Sequence, residues 1–467
     1  MGQNLRARLQ RIREAGKELA VRNEATGAEP ATDVSQVPPA PDAQNHSGES
    51  FAGSLQLIAN SSFFEAGFQT LKRTTLLDLP LTLPMTLPQT LPILIPDLNH
   101  FRREQNSGQA ECTLNPQDLL FFDLETTGLS GGAGTVAFLA AFGRFVPVET
   151  ADGAMGINPF KLQIDQYLLL DYPGEGDFLE AALREFQPGS AEAKAPQGDA
   201  LVSPLVVSYN GKSFDSQILK TRCLMNGMMP PVYAHADLLH PARRLWKRML
   251  PDCSQATIET EILALDRTGD VPGALAPEIW FNFLKNNEAA PLLGICDHNL
   301  SDIQGLAAIF AALSHIAAEP LTAMDSYGVD AEQLALRWRG AWHSALRRGA
   351  AFGDDERRQG QQLLERAAEQ GGQKAAYVLA MDLIRQGKAG EGRARLHALI
   401  AGDRPTVIND EVKCLALRQL AIDAEWHLRD YEAALAHTEA ALAMESLRET
   451  MQDELKARRE RLLLKNS

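Results

Sequence analysis

The middle of the chain alternates short apolar runs with segments of helical period. Strand-like runs lie at Leu119–Leu124, Thr135–Phe145, Leu162–Leu170 and Leu205–Tyr209. Apolar positions at helical spacing are found at Gly174–Phe186 and from about Phe214 to Met225. Three strands in succession predict an antiparallel meander, and the strand–helix segments that follow predict a mixed α/β sheet with flanking helices.

Beyond about residue 330 the pattern becomes entirely helical and rich in Ala and Leu. Leu415–Glu445 contains two amphipathic helices joined at Leu428–Tyr431, and Leu379–Ile400 repeats this pattern loosely. Paired helices spaced by roughly forty residues predict an all-α array of helical hairpins at residues 330–467, similar to tetratricopeptide repeats. Such an array would bind a protein partner, or it would serve as a structural cap on the preceding domain.

The N-terminal part of the chain has three different compositions. Residues 1–22 place apolar side chains at helical spacing among basic ones, which predicts a basic amphipathic helix that is either solvated or contacts nucleic acid or a partner. Residues 23–55 are polar and rich in Ala, Pro, Ser and Gly, which predicts a disordered linker. In residues 56–109 a TLP repeat forbids helix interiors and central strands, so we expect extended edge structure packed on the next domain.

Composition narrows the class of protein. The 467 residues exceed one ordinary domain, and 45% hydrophobic with 22% charged residues is typical of a soluble globular protein. No run of about 18 uninterrupted apolar residues is present, so no membrane partner is expected. Five scattered cysteines without CxxC spacing, and an N-terminus without an apolar signal region, favour the cytoplasm. The net charge of −15 disfavours non-specific coating of nucleic acid but allows a local metal site.

The first candidate site is the segment FFDLETTGLS, where a strand-like run breaks into acid. Asp123 and Glu125 are two positions apart, so on an extended chain both side chains leave the same face. Two carboxylates on one face of an apolar strand repel each other and are costly to desolvate without a cation. Mg²⁺ and Mn²⁺ are the hard cations that such oxygens bind. The alternative is a strand that runs out into a polar turn at Thr126, Thr127 and Gly128.

Two further acidic segments follow. In SYNGKSFDSQIL a strand ends, Asn210 begins a turn, and Asp215 lies in the first turn of a helix, where it would either cap the helix or bind metal. With Asp215 as a ligand, Asn210 and Lys212 would contact substrate. In CDHNLSDIQGLAAIF, His298 and Asp302 are four apart and therefore share one helix face. A lone helical histidine is usually a surface or core residue, but its pairing with an acid favours a site.

Taken together, the three segments resemble the motifs of the DEDD superfamily of 3′→5′ exonucleases. DLETTG is similar to the first motif, the Asn-x3-Phe-Asp pattern ending at Phe214-Asp215 to the second, and His298-x3-Asp302 to the third. The wider context, including FFDLETTGLSGGAGT, YNGKSFD and DHNLSDIQGLAA, resembles the YprB-type ribonuclease H-like proteins of bacteria. The resemblance extends over residues 1–20 and 110–315, and it implies an RNase H-like domain at residues 110–318.

The resemblance also implies a mechanism, the two-metal hydrolysis of phosphodiester bonds. It assigns two divalent cations, Mg²⁺ or Mn²⁺, to Asp123, Glu125, Asp215 and Asp302. His298 would orient or deprotonate the attacking water, since imidazole titrates near neutral pH. Histidine-type members of the superfamily usually space this residue five before the last aspartate, whereas this chain has the four-residue spacing of the tyrosine type.

Substrate contacts are expected around these acids. In the resemblance, Thr126, Thr127 and Gly128 lie beside the terminal nucleotide, and Phe214 falls in the second motif next to its acid. Basic residues at helical spacing beside Trp246 would track the phosphate backbone, with stacking from the aromatic ring, or would form a solvated face. These basic residues are Arg243, Arg244, Lys247 and Arg248.

Three functions are consistent with the sequence. The intact set of four acids favours a metal-dependent nuclease acting on a single-stranded end of DNA or RNA, most simply a 3′→5′ exonuclease. The alternatives are a non-catalytic adaptor that acts through its helical repeats and a structure-specific endonuclease. The motif spacings favour an exonuclease over an endonuclease.

Overall fold

A computed structural model describes most of the chain. It covers residue 58 and residues 61–99, 101, 114–128, 132, 134–148, 158–187, 203–347, 353–401, 409–444 and 447–466. The predicted basic helix at 1–22 and linker at 23–55 lie outside the described residues. The chain divides into two compact units, Met1–Gly328 and Val329–Ser467, each with its own buried core.

Seven strands form one mixed sheet in the described part of the first unit. They are β1 (Phe64–Gly67), β2 (Thr70–Asp78), β3 (Leu119–Thr126), β4 (Ala137–Pro147), β5 (Phe160–Leu169), β6 (Leu205–Ser208) and β7 (His235–Asp237). Their spatial order is β1-β2-β5-β4-β3-β6-β7. Strands β3, β4 and β5 form an antiparallel meander, while β6 pairs parallel with β3 and β7 pairs parallel with β6. The mixed α/β sheet predicted from the sequence is confirmed.

Strand β3 is buried on both faces, and the alternation of its side chains between the two faces decides where its acids point. Phe122 stacks on Phe142 on one face of the sheet, with ring centroids 5.3 Å apart. Phe121 contacts Phe310 on the other face at 5.9 Å. Side chains two apart on a strand share a face, so Asp123 and Glu125 lie on the same face as Phe121.

The segment before the TLP repeat supplies the two outer strands. β2 pairs antiparallel with β5 along its whole length, from Thr70 opposite Leu169 to Asp78 opposite Lys161. β2 contains no proline, so none of its backbone N–H groups is missing from the ladder; the strand ends just before Pro80. Strand β1 then pairs with the outer edge of β2.

Eight helices accompany the sheet in the described part of this unit. They are α1 (Leu91–Leu94), α2 (Glu175–Arg184), α3 (Asp215–Met225), α4 (Leu239–Trp246), α5 (Gln255–Glu261), α6 (Ala276–Asn286), α7 (Ala289–Ala318) and α8 (Pro320–Ser326). The longest, α7, packs on the face of β3, β4 and β5 that carries the acids. It approaches closely at Gly143 on β4, where an added Cβ would lie 2.6 Å from Ile303.

Helix α7 is also long and apolar enough to cross a membrane by length and composition alone. Within its most apolar window, 72% of the residues are buried inside the fold. Its apolar character is therefore explained by packing on the sheet, which is the ordinary position of a core helix.

The second unit is helical throughout its described residues. Its helices are α9 (Ala331–Arg347), α10 (Asp354–Glu369), α11 (Gln373–Arg385), α12 (Ala389–Ala401), α13 (Asp410–Asp423), α14 (Tyr431–Leu442) and α15 (Glu449–Asn466), with a π-helical turn at Ala424–Leu428. Each helix packs on the next in sequence. The predicted all-α C-terminal region is confirmed, and its assignment to tetratricopeptide-like repeats stays a prediction.

Candidate active site

The five residues predicted to carry the chemistry come together around one cavity. Asp123 and Glu125 lie near the C-terminal end of β3, Asp215 begins α3, and His298 and Asp302 lie one turn apart on α7. All five line a cavity of about 260 Å³, together with Leu124, Thr126, Tyr209, Asn210, Phe214, Gly273 and Pro277. The three sequence segments therefore converge at one edge of the sheet.

The carboxylates in this cavity repel one another in a poorly solvated place. Burial, followed by the charges of Asp215, Asp302 and Glu125, raises the pKa of Asp123 well above its ordinary value. Burial and the charges of Asp302 and Asp215 raise the pKa of Glu125 to about 8. Burial likewise raises the pKa of Asp215 to about 7. Carboxyl groups held near one another against their repulsion are typical of sites that bind cations or perform acid–base chemistry.

His298 is held between two acids. Its Nδ1 lies 2.8 Å from Oδ1 of Asp270, and its Nε2 lies 3.3 Å from Oδ2 of Asp302. The i, i+4 pairing with Asp302 follows from the helix, whereas Asp270 comes from the segment between α5 and α6. An Asp270 carboxylate that accepts from Nδ1 turns Nε2 toward Asp302 and the cavity.

Arg267, on the same segment as Asp270, joins three acids. Its guanidinium donates to Glu259 and Asp302, and it donates to Asp270 over 2.8 Å. Glu259 is 1% exposed, so the arginine supplies the charge that a buried carboxylate requires. This group fixes the position of Asp302 and of the Asp270 carboxylate that holds His298.

The turn that carries the second motif is held by Asp237 at the end of β7. The Asp237 carboxylate accepts from the backbone N–H groups of Asn210 at 2.8 Å and Lys212 at 3.2 Å. It is 1% exposed, and it also accepts from the N–H of Leu239. Asn210 has a positive φ of 65°, a left-handed conformation that asparagine tolerates in tight turns. Asp237 thereby fixes the path of the chain into Asp215.

Some of the predicted substrate residues line the cavity and others do not. Thr126, Asn210 and Phe214 line the cavity. Thr127 and Gly128 adjoin it: the Thr127 hydroxyl accepts from the N–H of Val136, and the Gly128 carbonyl accepts from Thr126. Among the residues that line this cavity, Lys212 is absent; its ammonium lies 2.8 Å from Asp97.

The predicted basic cluster has a different arrangement from the one expected. Arg243, Arg244 and Lys247 are exposed at the end of α4 and do not line the cavity. Trp246 is fully buried and donates its indole N–H to the carbonyl of Tyr327 at 2.9 Å. The predicted stacking of Trp246 on substrate is therefore wrong, because the residue lies on the apolar face of α4 that packs into the core.

Several site residues were not found from the sequence. Asp270 and Arg267 have no local pattern, since their partners lie on other elements. Asn299 is fully buried and donates from Nδ2 to Oδ2 of Asp123 at 2.7 Å. The only feature of the sequence that could have indicated Asn299 as a site residue was its position next to His298 in the third motif, one turn from Cys296.

The donor set fits a hard divalent cation. Among the described residues, one set of side chains can place its ligand atoms within 4.8 Å of one another, and it consists of Glu125, His298 and Asp302. The Glu125 carboxylate has no hydrogen-bond partner in the part of the chain that the structure describes. A half-buried carboxylate that receives no hydrogen bond and faces other carboxylates is costly, and a cation removes this cost. Asp123 and Asp215 line the same cavity and add further oxygen ligands.

Comparison with known proteins identifies the domain. Residues 120–314 match the family model described as the RNase H superfamily. The chain is 35% identical over 203 residues to a protein of Bacillus subtilis (strain 168) named "Uncharacterized protein YprB". That alignment covers 43% of this chain and 43% of the relative, so the chain matches less than half of the relative's length. The match and the sheet together confirm the RNase H-like fold predicted from the sequence.

Proposed function

Since residues 120–314 form a domain of the RNase H superfamily, we propose that the chain is a metal-dependent nuclease, and specifically a 3′→5′ exonuclease of the DEDD type. The observation that carries the proposal is the convergence of Asp123, Glu125, Asp215 and Asp302 on one cavity, with His298 beside them. A cavity of about 260 Å³ suits the end of a single strand better than a duplex. This favours an exonuclease over a structure-specific endonuclease.

We assign two divalent cations, Mg²⁺ or Mn²⁺, to the four carboxylates. Bound cations would supply the charge that activates water and stabilises the transition state at phosphorus. The protein's own contribution is to hold the four carboxylates together before substrate arrives, which avoids reorganisation during the reaction. The Asp302 side chain, fixed by Arg267 and His298, would be shared between these neighbours and the cation.

His298 is assigned the proton transfer. With Nδ1 donating to Asp270, Nε2 faces the cavity and can accept a proton from the attacking water. The position of Asp270 compensates for the unusual spacing of the histidine, because it orients the ring from outside the helix. Thr126, Asn210 and Phe214, which line the cavity, are assigned to the terminal nucleotide.

The exposed basic residues on α4 are assigned to the strand that leads away from the cavity. Burial raises the pKa of Tyr209, which lines the cavity, and the nearby charge of Arg243 opposes this rise. Its neighbours Arg244 and Lys247 extend this positive surface. We further propose that residues 330–467 bind a protein partner and that the enzyme works in the cytoplasm.

The test is cleavage of single-stranded DNA and RNA labelled at either end, with Mn²⁺, Mg²⁺ or EDTA. The proposal expects metal-dependent laddering from the 3′ end that is lost in both Asp123→Ala and Asp302→Ala. Internal cuts would replace the exonuclease by an endonuclease. Absence of cleavage by folded protein on every substrate would contradict the proposal and favour an adaptor that acts through its helical unit.

A further inference from the structure

A continuous chain of buried hydrogen bonds leads from strand β2 to the first acid of the site. Arg73 donates from Nε and a terminal nitrogen to Oε1 of Gln166, at 2.9 and 2.7 Å. Gln166 donates from Nε2 to Oδ1 of Asn299 at 3.0 Å. Asn299 donates from Nδ2 to Oδ2 of Asp123 at 2.7 Å. Gln166 and Asn299 are fully buried, and Arg73 is 9% exposed.

The register of the sheet explains why these residues meet. Arg73 on β2 lies opposite Gln166 on β5, Gln166 lies opposite Ala141 on β4, and Ala141 lies opposite Asp123 on β3. Residues directly opposite each other on neighbouring strands point to the same face. The side chain at position 141 is only a methyl group, which leaves space above it. Asn299, from α7, fills this space and connects the polar side chains on either side.

The side chains at the two ends of this series, Arg73 and Asp123, determine which group donates in every hydrogen bond between them. An arginine side chain only donates, so Gln166 must turn its oxygen toward Arg73. The Gln166 amide nitrogen then faces Asn299, and it also donates to the carbonyl of Cys296 at 2.7 Å, which locks the same orientation. Asn299 must therefore accept from Gln166 and present its own N–H groups to Asp123. Reversal of any one amide would place two oxygens or two N–H groups against each other.

This arrangement has a consequence for Asp123. Its Oδ2 accepts the Asn299 N–H through one lone pair, so Oδ1 keeps both of its lone pairs for a cation. The half-buried Asp123 carboxylate accepts this fixed hydrogen bond and is thereby held in one orientation, in a cavity where three other carboxylates would otherwise repel it. Arg73 places a positive charge at the far end of this hydrogen-bonded series. Its guanidinium also pairs with the exposed carboxylate of Asp297 at 2.9 Å and lies over the Phe63 ring at 5.0 Å.

We propose that Arg73, Gln166 and Asn299 are positioning residues that hold Asp123 ready to bind metal. The proposal rests on the assignment of Asp123 as a metal ligand. It makes strand β2, which precedes the segment that matches the RNase H superfamily model, a functional part of the active site. Strand β2 therefore does more than extend the sheet beyond β5.

The experiment measures Mn²⁺ binding by isothermal titration calorimetry on the full chain, without substrate. Gln166→Leu and Asn299→Leu remove the amide while keeping a similar volume. The matched control is Gln163→Leu, which removes the same amide from the same strand, but three positions away and hence on the opposite face. We expect the Kd for Mn²⁺ to rise by about tenfold or more in both test variants, equivalent to about 1.4 kcal/mol, and to stay near the wild-type value in the control.

A second pair of variants keeps the proposal testable if the buried amides are needed for folding. Arg73→Lys retains a group that only donates, whereas Arg73→Met retains the aliphatic stem alone. We expect Arg73→Lys to bind Mn²⁺ more tightly than Arg73→Met, and excess Mn²⁺ to restore the cleavage rate of Arg73→Met. A merely structural role would instead lower the thermal stability in EDTA of both variants without changing metal affinity in the folded fraction.

The Mn²⁺ measurements distinguish a failure of the positioning role from a failure of the proposed nuclease function. Wild-type affinity for Mn²⁺ in folded Gln166→Leu and Asn299→Leu would overturn the positioning role and leave the proposed nuclease intact. Absence of Mn²⁺ binding by the wild-type chain would instead contradict the proposed function, since a metal-dependent nuclease must bind its cation.

Discussion

The substitution Glu125→Gln should stabilise the metal-free protein while it abolishes cleavage. Burial and the neighbouring charges raise the pKa of Glu125 from 4.5 to about 8. Between these two pH values the folded state binds a proton that the unfolded state has released, so the free energy of unfolding falls as the pH rises. Glutamine has nearly the same shape and no charge, and it therefore removes this penalty.

The size of the effect follows from the same two pKa values. At about pH 7 the penalty extends over about 2.5 pH units at about 1.4 kcal/mol each, which amounts to about 3–4 kcal/mol. At about pH 4.5 it is nearly absent, because the carboxyl is protonated in the folded state and is only half ionised in the unfolded one. The difference between variant and wild type should thus grow steadily from acidic to neutral pH.

Hydrogen exchange at amides of β3 and β4, in urea and EDTA, would measure the stability of the first unit separately from the helical one. Glu278→Gln, which changes an exposed acid on α6, is the control and should show no such pH dependence. Added Mn²⁺ should stabilise the wild type more than Glu125→Gln, because the cation removes the same repulsion. Equal stability of Glu125→Gln and wild type at both pH values would refute the view that Glu125 is held in a repulsive, metal-dependent site.

Two further predictions concern separate parts of the chain. In Gly273→Ala the added Cβ would lie 2.8 Å from Nε2 of His298, so we expect a clear loss of cleavage rate. Unchanged cleavage would exclude a role for Nε2. The hydrogen bond from Arg461, with those of its other cationic partners, lowers the pKa of Glu425 to about 2. The stability that the ionised Glu425 contributes is present above its unfolded pKa of about 4.5 and is lost as the pH falls toward 2. Glu425→Gln should therefore weaken the helical unit at neutral pH and remove this acid sensitivity. Hydrogen exchange at amides of the helical unit would measure both effects.

The main parts of the site could be predicted because their spacing is local. Asp123 and Glu125 share a strand face, and His298 and Asp302 share a helix face, so each pair is set by the period of one element. The apolar pattern likewise predicted the meander and the helical C-terminal region. Which elements meet in space was predicted only through the resemblance to known exonucleases.

The remaining features depend on tertiary contacts that no local pattern records. Arg73 and Asn299 are far apart in the chain and are connected only by the register of β2 on β5 and the position of α7. Asp270 lies on an irregular segment whose composition gives no sign of its histidine partner. The prediction for Trp246 was wrong although a local pattern was available, because the spacing of Leu239, Ala242 and Trp246 already marks the apolar face of α4.

Whether the acidic cavity hydrolyses nucleic acid is tested by the release of nucleotides from a strand labelled at its 3′ end, compared between wild type and Asp302→Ala with Mn²⁺ present. We expect rapid release by the wild type, none in EDTA, and at least about a hundredfold loss in the variant, the order seen when one charge-stabilising group is removed from an active site. Equal release by the two folded proteins would place the activity elsewhere and contradict a catalytic role for this cavity.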